Sequence, residues 1–188
     1  MIYKIQMNSV TRAILAHTIS KYDVFLFGFL SPIINSIFFI GTESIIALSG
    51  FITFAAGYIM RPLGALFFSH IGDRKGRKLA FMLTVMLMAF PTLIIGLLPG
   101  YKYIGIWAPI ILLICRLIHG FCAGGEFSGL SVYVAEFTPN KKLGLFGGIV
   151  RSAGFFGTAI GTALASIMTL SFMPSWGWRI TFIIGAIL

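Results

Sequence analysis

Charge is scarce in this chain. Only 10% of its 188 residues are Asp, Glu, Lys or Arg, and just five are acidic. No nucleophile–base–acid set, metal-ligand cluster or phosphate-cradling loop can be read from the sequence, so an enzyme is not expected. Cysteine is rarer still: Cys115 and Cys122 lie seven apart in one apolar run. On a helix that spacing is about 10 Å of rise, too far for a disulfide, and no metal-ligand spacing accompanies it. They read as two small core residues. No metal and no cofactor is expected. Nor is a cleavable signal peptide expected. Residues 1–22 (MIYKIQMNSVTRAILAHTISKY) are mixed and weakly apolar, without an apolar block followed by a small-residue cleavage site. The first membrane helix is expected to do the targeting itself.

What the chain does have is apolar length. It is 58% hydrophobic, with 19 Phe and 22 Gly and a mean hydropathy of +0.98. A soluble domain sits near about 45–50% apolar. Nearly uncharged runs recur, and a run of about 18 residues or more reads as a membrane span. The expected class is an all-α, polytopic protein whose first partner is membrane lipid. The net charge of +9 would suggest nucleic acid in a soluble protein. Here the basic residues sit mostly between apolar runs, the pattern of topological signals, so no nucleic-acid partner is expected.

The runs divide residues 1–188 into one bundle of six helices, predicted at about 12–40, 45–68, 79–98, 104–135, 145–170 and 177–188. Polar or turn-forming breaks separate them: Gly41-Thr42-Glu43, Ile71 to Lys78, Pro99-Gly100, Thr138 to Lys142, and an aromatic-rich turn at Pro174-Ser175-Trp176-Gly177-Trp178-Arg179. From Ile180 the sixth segment has nine residues, about 13 Å of helix against a hydrocarbon core of about 30 Å. It is expected to be incomplete as a span. Lys4, Arg12, Lys21, Arg74, Lys75, Arg77, Lys78, Lys141 and Lys142 fall on one side of the alternating topology, and only Lys102 and Arg179 on the other. Nine against two predicts a cytoplasmic N-terminus, with Trp176 and Trp178 at the outer interface.

The stretch IGDRKGRK, Ile71 to Lys78, concentrates four basic residues in eight positions. It is expected to be a short cytoplasmic turn, with Asp73 after the second helix and Arg77 and Lys78 opening the third. A cation at a helix N-terminus opposes the dipole, so plain capping does not explain the order of these residues.

GDRKGRK between the second and third helices resembles the signature loop of the major facilitator superfamily. Arg61-Pro62-Leu63-Gly64, Gly124-Gly125-Glu126 and Trp176-Gly177-Trp178-Arg179 are similar to the metabolite:proton symporter branch. The run from Ile104 to Pro139 resembles the proline/betaine transporters within it. The resemblance implies the N-terminal six-helix bundle of a twelve-helix carrier, with a site between two halves near the midplane. The partners it implies are a small-molecule solute, a proton, and a missing or separately encoded C-terminal six-helix half. It implies a bacterial inner-membrane location. It also implies that the loop, Gly72, Asp73, Arg74, Gly76, Arg77 and Lys78, is a conformational latch. In that reading Asp73 caps a helix of the other half and Arg77 pairs with Glu136.

Arg116 lies within the fourth helix, where a charge calls for a cavity or a partner; by resemblance it is the basic residue associated with proton coupling. Glu126, ten residues on, is read either as a substrate or proton group or as half of a structural ion pair. His119 is one turn from Arg116 and reads as a hydrogen-bonded His or a proton relay. Asp23 is either the branch's coupling acid or an interfacial acid beside Lys21. Arg61 is expected to snorkel toward the cytoplasm. Gly120 and Gly124, with Ser128, form a small-residue row for close helix packing, as do Gly154, Gly157 and Gly161 on the fifth helix. The chain departs from the family pattern at Ser69, His17, Ser20, Lys21, Arg151 and Thr181. The expected function is proton-coupled uptake of a small zwitterionic osmolyte or metabolite; the alternative is a truncated or split half-carrier inactive alone.

Overall fold

The computed structural model describes residues 2–170, 173–174 and 176–187. Ser175 of the expected aromatic turn and Leu188 of the expected sixth helix lie outside the described residues, as does Met1. Within the described residues seven α-helices follow one another: α1 (Ile2–Phe38), α2 (Glu43–Lys75), α3 (Arg77–Leu97), α4 (Tyr101–Ile104), α5 (Trp107–Phe137), α6 (Leu143–Met168) and α7 (Gly177–Ile187). Among those residues there is no strand. Val10–Phe38 of α1, and all of α2, α3, α5 and α6, are long and apolar enough to cross a membrane. The chain is an all-α, multi-pass membrane bundle.

The helix ends differ from the sequence expectation where no residue stops the helix. α1 starts ten residues earlier than expected, at Ile2, because no Gly or Pro precedes Arg12. The four-residue α4 is split from α5 by Gly105, whose φ of 56° only glycine adopts freely.

The largest difference is at the charged stretch. It is not a turn: α2 continues through Asp73, Arg74 and Lys75, and α3 begins at Arg77. Gly76 alone joins them, at φ 97° and ψ 141°, and its N–H closes the last turn of α2 on the Gly72 carbonyl at 3.1 Å. At 33 residues α2 is about 50 Å long. It outreaches a hydrocarbon core of about 30 Å, so its polar end stays helical in water. Arg74 and Lys75 thus occupy the last turn of a helix, where cations are favourable. Of the remaining two, Arg77 is bonded to Asp73 one turn back.

α2 packs most extensively on α5, α1 on α6, and α3 between α5 and α7. The first two interfaces are seams of small residues. A methyl group added to Gly120 would overlap the Gly57 carbonyl, one added to Gly124 the Arg61 carbonyl, and one added to Gly64 the Phe121 carbonyl. On the other seam, Gly157 lies against the Thr18 carbonyl, Gly161 against that of Tyr22, and Gly154 against the His17 ring. Backbones this close gain dispersion and polar contact that lipid cannot supply. The α2 half of the first seam is Gly57 and Gly64, seven residues apart and so on one face of the helix; Gly50, seven residues earlier, lies against Asn35 of α1 instead.

Leu26, Leu30, Ile34, Phe38, Ile95, Leu112, Trp178 and Phe182 form the core of one end of the bundle. Trp178 is turned into this core. It is 2% exposed, edge-on to Phe38 at 6.2 Å, because Tyr22 and Arg179 bind α7 inward. The Tyr22 hydroxyl donates to the Thr181 carbonyl at 2.7 Å, and Arg179 Nη1 donates to the Gly96 carbonyl at 3.1 Å. Trp176 is exposed, and Cys115 and Cys122 are buried and free.

Candidate functional site

Helical spacing brings the polar residues of four helices to one place. His17 and Lys21, four apart, share a face of α1; Arg151 and Thr158, seven apart, share a face of α6. With Tyr58 and Arg61 from α2 and Phe127 from α5 they line a cavity of about 690 Å³. That volume lies within the usual range for small-molecule sites, about 300–1,000 Å³.

Glu126 lies directly behind this lining and is fully buried. His17 Nδ1 donates to its Oε1, and Lys21 Nζ donates to its Oε2 at 3.4 Å. The ion pair that the sequence left open is thus present. Its partners are two of the residues that depart from the family pattern, and the sequence reading does not place either in the site. The detectable signal is their spacing: a His and a Lys four apart, on one face of α1.

Asp23 is 3% exposed. It lies 13 residues into the membrane-length segment that begins at Val10, about 20 Å along α1. It faces away from Lys21. Two residues turn a helix by about 200°, so Lys21 faces the cavity while Asp23 faces α3 and α7. Thr92 Oγ1 donates to its Oδ2 at 3.1 Å, and Oδ1 has no hydrogen-bond partner.

Arg116 and His119 meet in a small pocket with Tyr58, Arg61 and Gly57. The Arg116 guanidinium sits 4.0 Å over Phe27 and 5.5 Å from Phe54, and its Nε has no hydrogen-bond partner. A charge at this depth costs about 2.5–3.5 kcal/mol on insertion scales; stacking on two rings offsets part of that. His119 is 2% exposed, with neither ring nitrogen hydrogen-bonded. The expected hydrogen-bonded His is not found, because the polar groups nearest it are other cations. Arg61 does not snorkel either. Its guanidinium lies flat over Tyr58 at 3.8 Å, and its Nε is buried without a partner.

The residues of the expected latch lie apart from the cavity, beyond the apolar part of α2. Gly72 is buried under the Arg77 side chain: an added methyl there would meet Arg77 Cδ and Nη1 at 3.1 Å. Arg77 Nε is 4.0 Å from Glu136 Oε1 near the end of α5. Arg74, Lys75 and Lys78 are exposed, and so is Asp73, bonded to Arg77. The Glu136 carboxylate is 52% exposed and the distance long, so the pair is expected to be weak. A double-mutant cycle of Arg77→Ala and Glu136→Gln, read by thermal melting in detergent, should give a coupling of about 1 kcal/mol or less. A coupling several times larger would mean a desolvated pair.

A model of the family described as sugar (and other) transporter matches residues 9–188. The chain belongs to that family. This transporter chain, of the major facilitator superfamily, is 38% identical over 181 residues to the proline/betaine transporter of Escherichia coli K12, covering 94% of the chain and 36% of the relative. It is 36% identical over 189 residues to the citrate-proton symporter of Klebsiella pneumoniae, covering 97% and 42%. It is 40% identical over 177 residues to a putative proline/betaine transporter of Staphylococcus aureus strain COL, covering 89% and 37%. It spans well under half the length of these relatives. The bundle is that of the N-terminal half of a major facilitator carrier.

Proposed function

We propose that this transporter chain forms one wall of a proton-coupled carrier for a small carboxylate-bearing osmolyte or metabolite. The observation that carries the reading is the cavity among α1, α2, α5 and α6, lined within membrane-crossing helices by Lys21, Arg61, Arg151 and Thr158. Intramembrane ionisable groups at a cavity are the usual mark of a solute or ion path. The named substrates of the relatives, proline, betaine and citrate, share a carboxylate, which such cations hold. A zwitterionic osmolyte is one member of this class. A second six-helix bundle closes the open side and supplies the remaining contacts.

Proton coupling is assigned to the buried acids. Glu126 as a carboxylate draws Lys21 and His17 to itself; a proton on Glu126 ends that attraction and turns Lys21 toward the solute. Asp23, with one oxygen unpartnered, is the second candidate, and Arg116 and His119 set the field around the cavity floor. Asp73, Arg77 and Glu136, framed by Gly72, Gly76, Arg74 and Lys78, act as the latch at the cytoplasmic end, with the N-terminus on that same side. The membrane is the bacterial inner membrane, as the relatives' organisms suggest.

The test is uptake by proteoliposomes of the full-length protein under an inward proton gradient. Labelled proline, glycine betaine or citrate should accumulate, and a protonophore should collapse the accumulation. Arg116→Ala should abolish uptake while leaving membrane insertion intact. No gradient-driven uptake of any of the three would overturn the reading.

A further inference from the structure

Resting on the carrier reading, we infer that the cavity selects an anion bearing two or more carboxylates over a zwitterion with no net charge. Two guanidiniums face it from different helices, Arg61 on α2 and Arg151 on α6. Among the described residues neither has a carboxylate partner, since the ion pairs there involve only His17, Lys21 and Arg77. None of the described residues lining the cavity is an acid. Glu126, the one carboxylate nearby, is enclosed behind His17 and Lys21. It balances Lys21 and leaves Arg61 and Arg151 uncompensated. A solute with carboxylates at separate points meets both cations. A solute with one carboxylate and one ammonium brings a further cation into a cationic lining.

Aromatic faces could in principle hold a quaternary ammonium. Of the four Phe and Tyr rings in the lining, Tyr58 and Phe127 already carry the protein's own cations, Arg61 at 3.8 Å and Arg151 at 4.9 Å from the ring centre. Phe25 and Phe155, on α1 and α6, carry none among the described residues and lie apart from those two rings. Lys21 is also within 5.9 Å of Phe127. An ammonium would have to displace a guanidinium to reach Tyr58 or Phe127. A polycarboxylate leaves both stacks in place and binds the outward N–H groups, which present the fork suited to carboxylate.

The test uses the full-length protein in lipid nanodiscs, with thermal melting and calorimetric titration against citrate, succinate, glycine betaine, proline and sulfate at equal ionic strength. Citrate and succinate should raise the melting temperature, and the two zwitterions should not. Arg151→Gln should weaken citrate binding tenfold or more without changing the unliganded melting temperature, because Arg151 is exposed and makes only a ring contact. Arg151→Lys should recover part of the loss. Stabilisation by glycine betaine or proline equal to that by citrate overturns the inference. So does an equal shift with sulfate, which would be screening alone, or no shift with any ligand. Citrate binding without gradient-driven uptake would uphold the inference while removing proton coupling.

Discussion

Gly120→Val is expected to prevent the bundle from assembling. The residue sits where α5 crosses α2, and even a methyl group there would overlap the Gly57 carbonyl oxygen. Overpacking a core usually costs about 1–3 kcal/mol, because side chains move aside. Here the obstacle is backbone, which no rotamer change can relieve, so α2 and α5 must separate along the whole seam. That seam is the most extensive helix–helix interface among the described residues. Fluorescence-detected size exclusion should show aggregate in place of a single peak, and limited trypsin digestion should cut within α2. Gly129→Ala is the matched control. Nothing lies within 4 Å of its added methyl, and it should elute as wild type. A monodisperse Gly120→Val protein would mean that the helices do not touch there.

Glu126→Ala is expected to have the second-largest effect. The carboxylate is wholly buried, with His17 on one oxygen and Lys21 on the other. Removing one member of a fully buried pair costs about 3–5 kcal/mol; Lys21 is 22% exposed, so the loss here should fall at or below the lower end of that range. The melting temperature in detergent should fall sharply. The double variant Glu126→Leu with Lys21→Met removes both charges and fills the space, so it should recover much of the loss. If the single variant melts like wild type, Lys21 already reaches water and the pair contributes little. A double variant no better than the single would place the loss in packing instead.

The spans were legible because lipid imposes one strong rule: every backbone polar group must be bonded within its own segment. Long apolar runs then leave few alternatives to helices, and the sequence yields the five crossing segments and their order. The glycine rows of α5 and α6 were legible for the same reason, as small residues at helical spacing. Helix ends were less so. The charged stretch reads as a turn by composition, yet only Gly76 leaves helical geometry. Polarity marks where lipid ends, and that need not be where the helix ends.

The buried charges were legible in the sequence, but the cavity was not: Arg116, His119, Glu126 and Asp23 are absent from its lining among the described residues. Arg116, Glu126 and Asp23 stand out as charges among apolar neighbours. Which group each one meets depends on how four helices cross. His17 and Lys21 looked like departures from a pattern, and only their placement against α5 turns them into the partners of Glu126. Arg61 and Arg151 are 90 positions apart in the chain, and only packing brings them to one cavity.

Gly76 is a knuckle with no slack. A single residue advances the chain by one Cα–Cα step, about 3.8 Å, so α2 and α3 cannot slide past each other at that end. Any tilt of α2 drags the near end of α3 with it. α3 in turn is pinned to α7 by Arg179 on the Gly96 carbonyl. Asp73 and Arg77, flanking that knuckle, are thus tied through α3 to α7 by one unbroken line of joints, like the two ends of a rocker arm.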